Sequence, residues 1–310
     1  MDGPHSVVPM ASSHGHLRSE AAPKHKCAAP SSDTSEQGSV KCSEGPRPVF
    51  DGPSGPPTRI SREVFVVSLD EPKLSYRVAH GSERCFPLDR VPAQDLATAC
   101  AWRAFRSYRG QPFYSGMYWS ATMGAHVIYE SRLELARLML ADFDRAVVNI
   151  VAQPFQLSAR IGGRIRRHVP DFLLWDGSGA ATVVDVKPAG LLAEPTVTRT
   201  LAWVGKLIEA RGWQFEVWSG CDGVLLANVR FLAGYRRSWL FSEDLLNEVR
   251  TAVGDGDTIA AVERRLAPRH QGGTVRPALL HLLWRGEATA DLHQVLGGAT
   301  TLRRTRERVP

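Results

Sequence analysis

The spacing of apolar residues changes period along this 310-residue chain. Leu133, Leu135, Leu138, Met139, Leu140 and Phe143 recur at helical spacing and predict one core helix bounded by Ser131 and Asp144. Val147, Val148, Ile150, Val151, Phe155 and Leu157 then form an extended run broken at Pro154. Gly162-Gly163 predicts a hairpin turn into a strand over residues 164–175. Asp176-Gly177-Ser178-Gly179 turns the chain into a further strand over 182–187, expected to pair antiparallel with the preceding one. A helical stretch over 197–211 stops at Gly212, a good C-cap residue, and leads to a strand over 213–218. Upstream, Glu63-Val64-Phe65-Val66-Val67 marks the expected start of order, followed by Tyr76-Arg77-Val78 and a helical stretch near 94–105. Downstream, short helices are expected near 243–253, 258–266 and 275–284, capped by Ser242, Asp257 and Thr274. Strand-like pieces around Gly286 to Leu292 and Thr300 to Leu302 complete a wing. Three helices and a wing predict a winged helix whose third helix reads a groove. A protein-docking bundle fits the same pattern, and Ala278, Leu279, Leu280, Leu282 and Leu283 have the look of core.

Composition adds limits. A hydrophobic content of 43% is that of an ordinary globular protein. Residues 1–58 are rich in Ser, Pro, Gly, His and Lys and are expected to be a disordered tail, because they cannot bury enough surface to offset chain entropy. The chain then divides into a larger unit, 59–240, with an N-terminal β extension, and a small helical unit, 241–310. The net charge of +6 biases the surface toward polyanions such as nucleic acid. Five scattered cysteines form no C-x-x-C pair, which argues against a disulfide framework or a zinc site. With no secretion signal and no apolar run near the ~20 residues that span a bilayer, the expected place is the cytoplasm, away from membranes.

The chemistry is concentrated in Pro170-Asp171-Phe172 and Val184-Asp185-Val186-Lys187-Pro188. Residues two apart on a strand share a face, so Asp185 and Lys187 project together. Antiparallel pairing brings Asp171 near Asp185, and Pro170, which cannot donate to a ladder, marks an edge or bulge where the next side chain is re-aimed. Two carboxylates then converge on one hard cation, with Lys187 left to steer a phosphate and stabilise hydroxide. A turn residue at Asp171 and a solvated strand face at Asp185 and Lys187 is the alternative for so short a motif. The apolar flanks tip the balance, since charges on buried strands need partners or ions. Glu134, on the helix, is the third acid. It is also the N3 residue of the capping box Ser131-Arg132-Leu133-Glu134, and Glu130 lies one turn earlier as a backup. Arg160, Arg164, Arg166, Arg167 and His168 flank the hairpin turn, where cations meet phosphates or merely blunt a strand edge. Gln153 and Gln156 touch DNA or sit on a polar strand face. Arg103, Arg106 and Arg109 interleave with Tyr108, Phe113 and Tyr114 in either a nucleic-acid surface or a small packed β region.

Taken in order, Ser131-Arg132-Leu133-Glu134-Leu135, Gln153-Pro154-Phe155, Pro170-Asp171-Phe172 and Val186-Lys187-Pro188 resemble a TnsA-type endonuclease subunit of a heteromeric transposase. The resemblance spans roughly residues 130–218. It implies an α/β, restriction-endonuclease-like mixed sheet flanked by helices, with a small winged-helix-like C-terminal domain. It places Glu134, Asp171, Asp185 and Lys187 in the catalytic positions, the three acids holding Mg, or Mn as substitute. Asp185 stands where members of the fold often carry Glu or Gln. The implied activity is hydrolysis of phosphodiester bonds at the 5′ ends of a transposon in double-stranded DNA. The implied partners are a DDE-type transposase and an AAA+ ATPase regulator. Asp171→Ala and Lys187→Ala are expected to abolish nicking and leave folding intact. A stand-alone restriction or repair nuclease, and an inactive DNA- or ATPase-binding adaptor, remain as alternatives.

Overall fold

The computed structural model describes residues 70–103, 114–270 and 273–305, all within one compact unit. The tail at 1–58, the Val64 to Val67 run and the Arg106 to Phe113 aromatics lie outside the described residues. The chain enters as β1 (Asp70–Arg77), β2 (Glu83–Pro87) and a short α1 (Ala93–Ala97). A hairpin follows, β3 (Gly116–Ser120) and β4 (Ala125–Tyr129), whose first strand falls in the stretch for which a small β region was one of the two readings. Helix α2 (Arg132–Phe143) begins and ends at the expected caps, Ser131 and Asp144. Next come β5 (Val147–Ala152), β6 (Gln156–Ile161), β7 (Arg164–His168), β8 (Phe172–Asp176) and β9 (Ala181–Val186). Helix α3 (Pro195–Ala210) starts on a proline, whose missing N–H costs nothing in a first turn, and leads to β10 (Gln214–Trp218). Helix α4 (Gly223–Leu232) has no counterpart in the sequence reading; its signal was Asp222, whose carboxylate accepts from the Leu225 amide at 2.8 Å. The chain ends in α5 (Glu243–Ala252), α6 (Ile259–Leu266), α7 (Val275–Trp284), β11 (Ala288–Ala290) and β12 (Leu302–Arg304).

The fold is mixed α/β. One sheet has the order β10-β9-β8-β5, parallel between β9 and β10 and antiparallel elsewhere; a second has the order β2-β1-β6-β7. Alternation puts the two faces of the first sheet into different cores. Ile150, Phe172, Leu174, Val184 and Val186 pack with α2, α4 and the C-terminal helices. Val151, Leu173 and Val183 pack with α3, β1 and β6. A sheet buried on both faces explains the unbroken apolar runs Phe172-Leu173-Leu174 and Val183-Val184.

Three expectations are corrected. The strand expected over 164–175 is two strands in different sheets: β7 pairs with β6, while β8 pairs with β9. The break falls at Val169-Pro170, where proline removes the ladder donor. The N-cap of α6 is Thr258, whose hydroxyl accepts from Ala261 N; Asp257 instead accepts from Gly254 N and pairs with Arg265. Helix α7 cannot read a groove, because Val275 and every residue from Ala278 to Trp284 are buried. A helix apolar all round is a core element, and its residues share a cluster with Leu138 of α2 and Val229 of α4.

Candidate functional site

The turn between β8 and β9 is pinned by Asp176, whose Oδ1 accepts from Ser178 N and Ala180 N, with Gly179 at φ 84°. The register it fixes sets Phe172 opposite Val184. Asp171, one residue before β8, donates its amide to Val184 O at 3.0 Å, while its Oδ2 accepts from Val186 N at 2.6 Å. Lys187, just past β9, donates its own amide to Trp218 O on β10. The ends of three neighbouring strands therefore hold Asp171, Asp185 and Lys187 in place.

Lys187 Nζ lies 3.2 Å from Asp185 Oδ1 and 3.5 Å from Asp171 Oδ2, so one ammonium bridges the two carboxylates. Burial pulls the Lys187 pKa down, but Asp185 and then Asp171 outweigh it and the net shift is upward. Asp185 is fully buried, and both of its oxygens also meet His168 Nε2, at 2.7 and 2.9 Å. His168 is thus a site residue that the sequence reading noticed only as the end of a basic run. Its signal was position: the last residue of β7, three before Asp171.

Glu134 comes from the other direction, at N3 of α2. Glu134 N donates to Ser131 Oγ at 3.0 Å, as a capping box requires, but its carboxylate reaches past the N-cap to accept from Glu130 N at 2.7 Å. Burial, and secondly the Asp171 carboxylate, push the Glu134 pKa up to about 7. Asp171 is also raised, chiefly by burial, with Lys187 pulling the other way. Glu134, raised by burial and by Asp171, and Asp171, raised by burial and by Asp185, would both gain from a further positive charge.

Glu134, Asp171, Lys187, His168, Arg167 and Gln156 line one cleft of about 380 Å³ together with Arg103 and Glu130, which pair at 3.0 Å. Asp185 lies behind this wall rather than on it. Among the described residues, no three His, Cys, Asp or Glu side chains are grouped closely enough to hold one ion. Arg160, Arg164 and Arg166 are exposed on β6 and β7, beyond the cleft. Gln153 is not on a polar face: it is buried, sits at φ 47°, and its Oε1 accepts from Arg103 N at 3.2 Å. No helix among the described residues is long and apolar enough to cross a membrane. No protein-family model matches the chain, and no curated protein matches its sequence.

Proposed function

We propose that this chain is a metal-dependent DNA endonuclease with a restriction-endonuclease-like core, acting at the 5′ ends of a transposon beside a DDE-type transposase and an AAA+ ATPase regulator. The observation that carries the hydrolytic part is the juxtaposition of Glu134 and Asp171, both raised in pKa, beside Lys187 in a cleft that Arg167 also lines. Carboxylates so placed gain most from a hard cation, and Mg is satisfied by one or two of them while keeping its waters. The donor set fits: Glu134 and Asp171 present oxygen to the cleft, and Asp171 Oδ1 has no protein donor among the described residues. Bound there, Mg or Mn would polarise a phosphoryl oxygen and lower the pKa of a water.

The other roles belong to the chain itself. Lys187 neutralises Asp171 and Asp185 at rest and offers its ammonium to the charge that develops on the phosphate. Asp185, backed by His168, positions that ammonium; it joins the cation only by exchanging Lys187 or His168. Arg167 at the cleft, with Arg160, Arg164 and Arg166 beyond it, supplies the charge that attracts duplex DNA. The C-terminal helices keep the order of a winged helix, but with α7 as a buried spine they serve as a docking surface for protein.

One observation favours a second reading, the inactive adaptor: Lys187 already occupies the place between the two aspartates. Cleavage of a transposon-end duplex, with and without the transposase, separates the cases. Cutting only with the partner is the expected result. Cutting by the chain alone indicates a stand-alone nuclease, and no cutting under either condition with Mg or Mn leaves the adaptor.

A further inference from the structure

Among the described residues, Gln153 and Glu71 are the two other than glycine with a positive φ. Gln153, at φ 47°, also precedes Pro154, which steers the residue before it toward extended conformations. A side chain in the left-handed region is uncommon and persists only where its surroundings over-determine it. Three hydrogen bonds do so. Gln153 N donates to Asp171 O at 2.8 Å, Trp102 N donates to Gln153 O at 2.9 Å, and Arg103 N donates to Gln153 Oε1 at 3.2 Å. One buried residue, 4% exposed, therefore clips the chain at 102–103 to the backbone of Asp171.

The clip fixes where Arg103 stands, in the wall of the cleft with Glu134, Asp171 and Lys187. Glu130 Oε2 accepts from Arg103 Nη1 at 3.0 Å, the only ion pair of Arg103 among the described residues. Glu130 N donates in turn to Glu134 Oε2 at 2.7 Å. Arg103 is thereby tied to both cleft acids, to Asp171 through Gln153 and to Glu134 through Glu130. The Arg103 side chain is 54% exposed, and so solvated a pair holds little free energy. A phosphate can displace it. One bond to Glu130 leaves the rest of the guanidinium fork for two oxygens of a phosphate. We propose that Arg103 is a catalytic residue that binds the non-bridging oxygens of the scissile phosphate, and that Gln153 is the positioning residue that sets it there. This rests on the nuclease reading above and deepens it. Glu134 and Asp171 form the cation side of the cleft; Arg103 stabilises the charge that builds on the phosphate oxygens in the transition state. Glu130 holds the guanidinium in place until DNA binds.

Two measurements on the full chain test this: binding of duplex DNA without divalent metal, and Mg-dependent cutting in the presence of the transposase. Arg103→Ala should reduce the salt slope of metal-free binding by about one. It should also lower kcat roughly hundredfold, with KM changed far less. Arg103→Lys should recover only a small part, because an ammonium is a point charge and cannot match two oxygens as a fork does. Gln153→Met keeps the buried volume and removes the acceptor for Arg103 N, so kcat should fall roughly tenfold. The double variant should be no slower than Arg103→Ala, because both changes act through one guanidinium. Losses that multiply in the double variant would overturn the positioning role. Arg103→Ala alters an exposed side chain and stays decisive if Gln153→Met fails to fold. Wild-type cutting with an undiminished kcat in Arg103→Ala overturns the proposal and leaves the nuclease reading standing. No cutting by the wild-type chain removes the nuclease reading and the catalytic role together, and an unchanged salt slope in Arg103→Ala then overturns the phosphate contact as well.

Discussion

His168 Nε2 lies within 2.9 Å of both oxygens of Asp185, a side chain with no solvent exposure. Removing one member of such a buried set leaves its partners uncompensated, so Asp185→Ala should lower unfolding free energy by about 3–5 kcal/mol in urea titrations. Asp171→Asn should behave differently. The amide oxygen still accepts from Val186 N, so stability should stay within about 0.5 kcal/mol of wild type while nicking is lost. Equal destabilisation by the two substitutions would show that they share one structural role.

Lys187→Ala should keep the fold at reduced stability, because the ammonium bridges Asp171 and Asp185. Its side chain is a quarter exposed, which screens the interaction, so the expected loss is roughly 2 kcal/mol. Added Mg should restore more stability to this variant than to the wild-type chain, since the vacated place suits a cation. Thermal melts with and without Mg measure the difference; a smaller Mg response in Lys187→Ala would mean that the lysine is itself part of the binding arrangement.

Glu134 gives stability a pH dependence of the opposite sign from that of an ordinary ion-paired carboxylate. Its pKa is about 7 in the folded chain against 4.5 ordinarily, so between those values the folded state holds more proton than the unfolded one. The benefit is complete below about pH 4.5 and is lost as pH rises through 7, an effect on the order of 3 kcal/mol. Asp171, also raised, adds in the same direction. Urea midpoints across this window should fall with pH in the wild-type chain and fall less in Glu134→Gln, which keeps an acceptor for Glu130 N. Saturating Mg or Mn should flatten the wild-type slope, because a cation favours the ionised acids. A wild-type midpoint that rises from pH 4.5 to 7 would contradict the buried, cation-poor site.

Much of this was legible in the chain. The helical period from Leu133 to Phe143 and the Ser131 cap located α2, and the turn residues Asp176 to Gly179 located the β8–β9 hairpin that joins Asp171 to Lys187. What escaped depends on contacts between segments distant in sequence. Nothing local to His168 says that it meets Asp185. Asp142 gave no signal either, yet its buried carboxylate accepts from Tyr118 Oη, Ser120 Oγ, Ala121 N and Thr122 N and so ties the β3–β4 hairpin to α2. The break at Pro170 was visible as a proline, but whether it kinks one strand or separates two sheets is decided by which partners lie on each side. For α7 the local signal was the better guide than the order of three helices and a wing: Ala278 to Leu283 read as core, and they are core.

Because of that, the C-terminal helices should not behave as a separable domain. Leu279 and Ala278 of α7 have no exposure and belong to the same cluster as Leu138, Ile150, Val229 and Leu232. The Phe143 and Trp284 rings meet at 5.3 Å between centroids, and Arg145 hydrogen-bonds the Arg285 carbonyl, so the C-terminal end of α7 is joined to the end of α2. Truncation after Leu240 would expose these faces of α2 and α4, and the expected product is insoluble or molten rather than a smaller active nuclease. Leu279→Ala is the gentler test. A cavity at a position with this burial should cost about 2–5 kcal/mol, and the loss should appear in a single unfolding transition recorded alike by tryptophan fluorescence and far-ultraviolet circular dichroism. Two resolved transitions, with only the weaker one shifted by the substitution, would restore an independent C-terminal domain and with it the possibility that the unit folds and docks on its own.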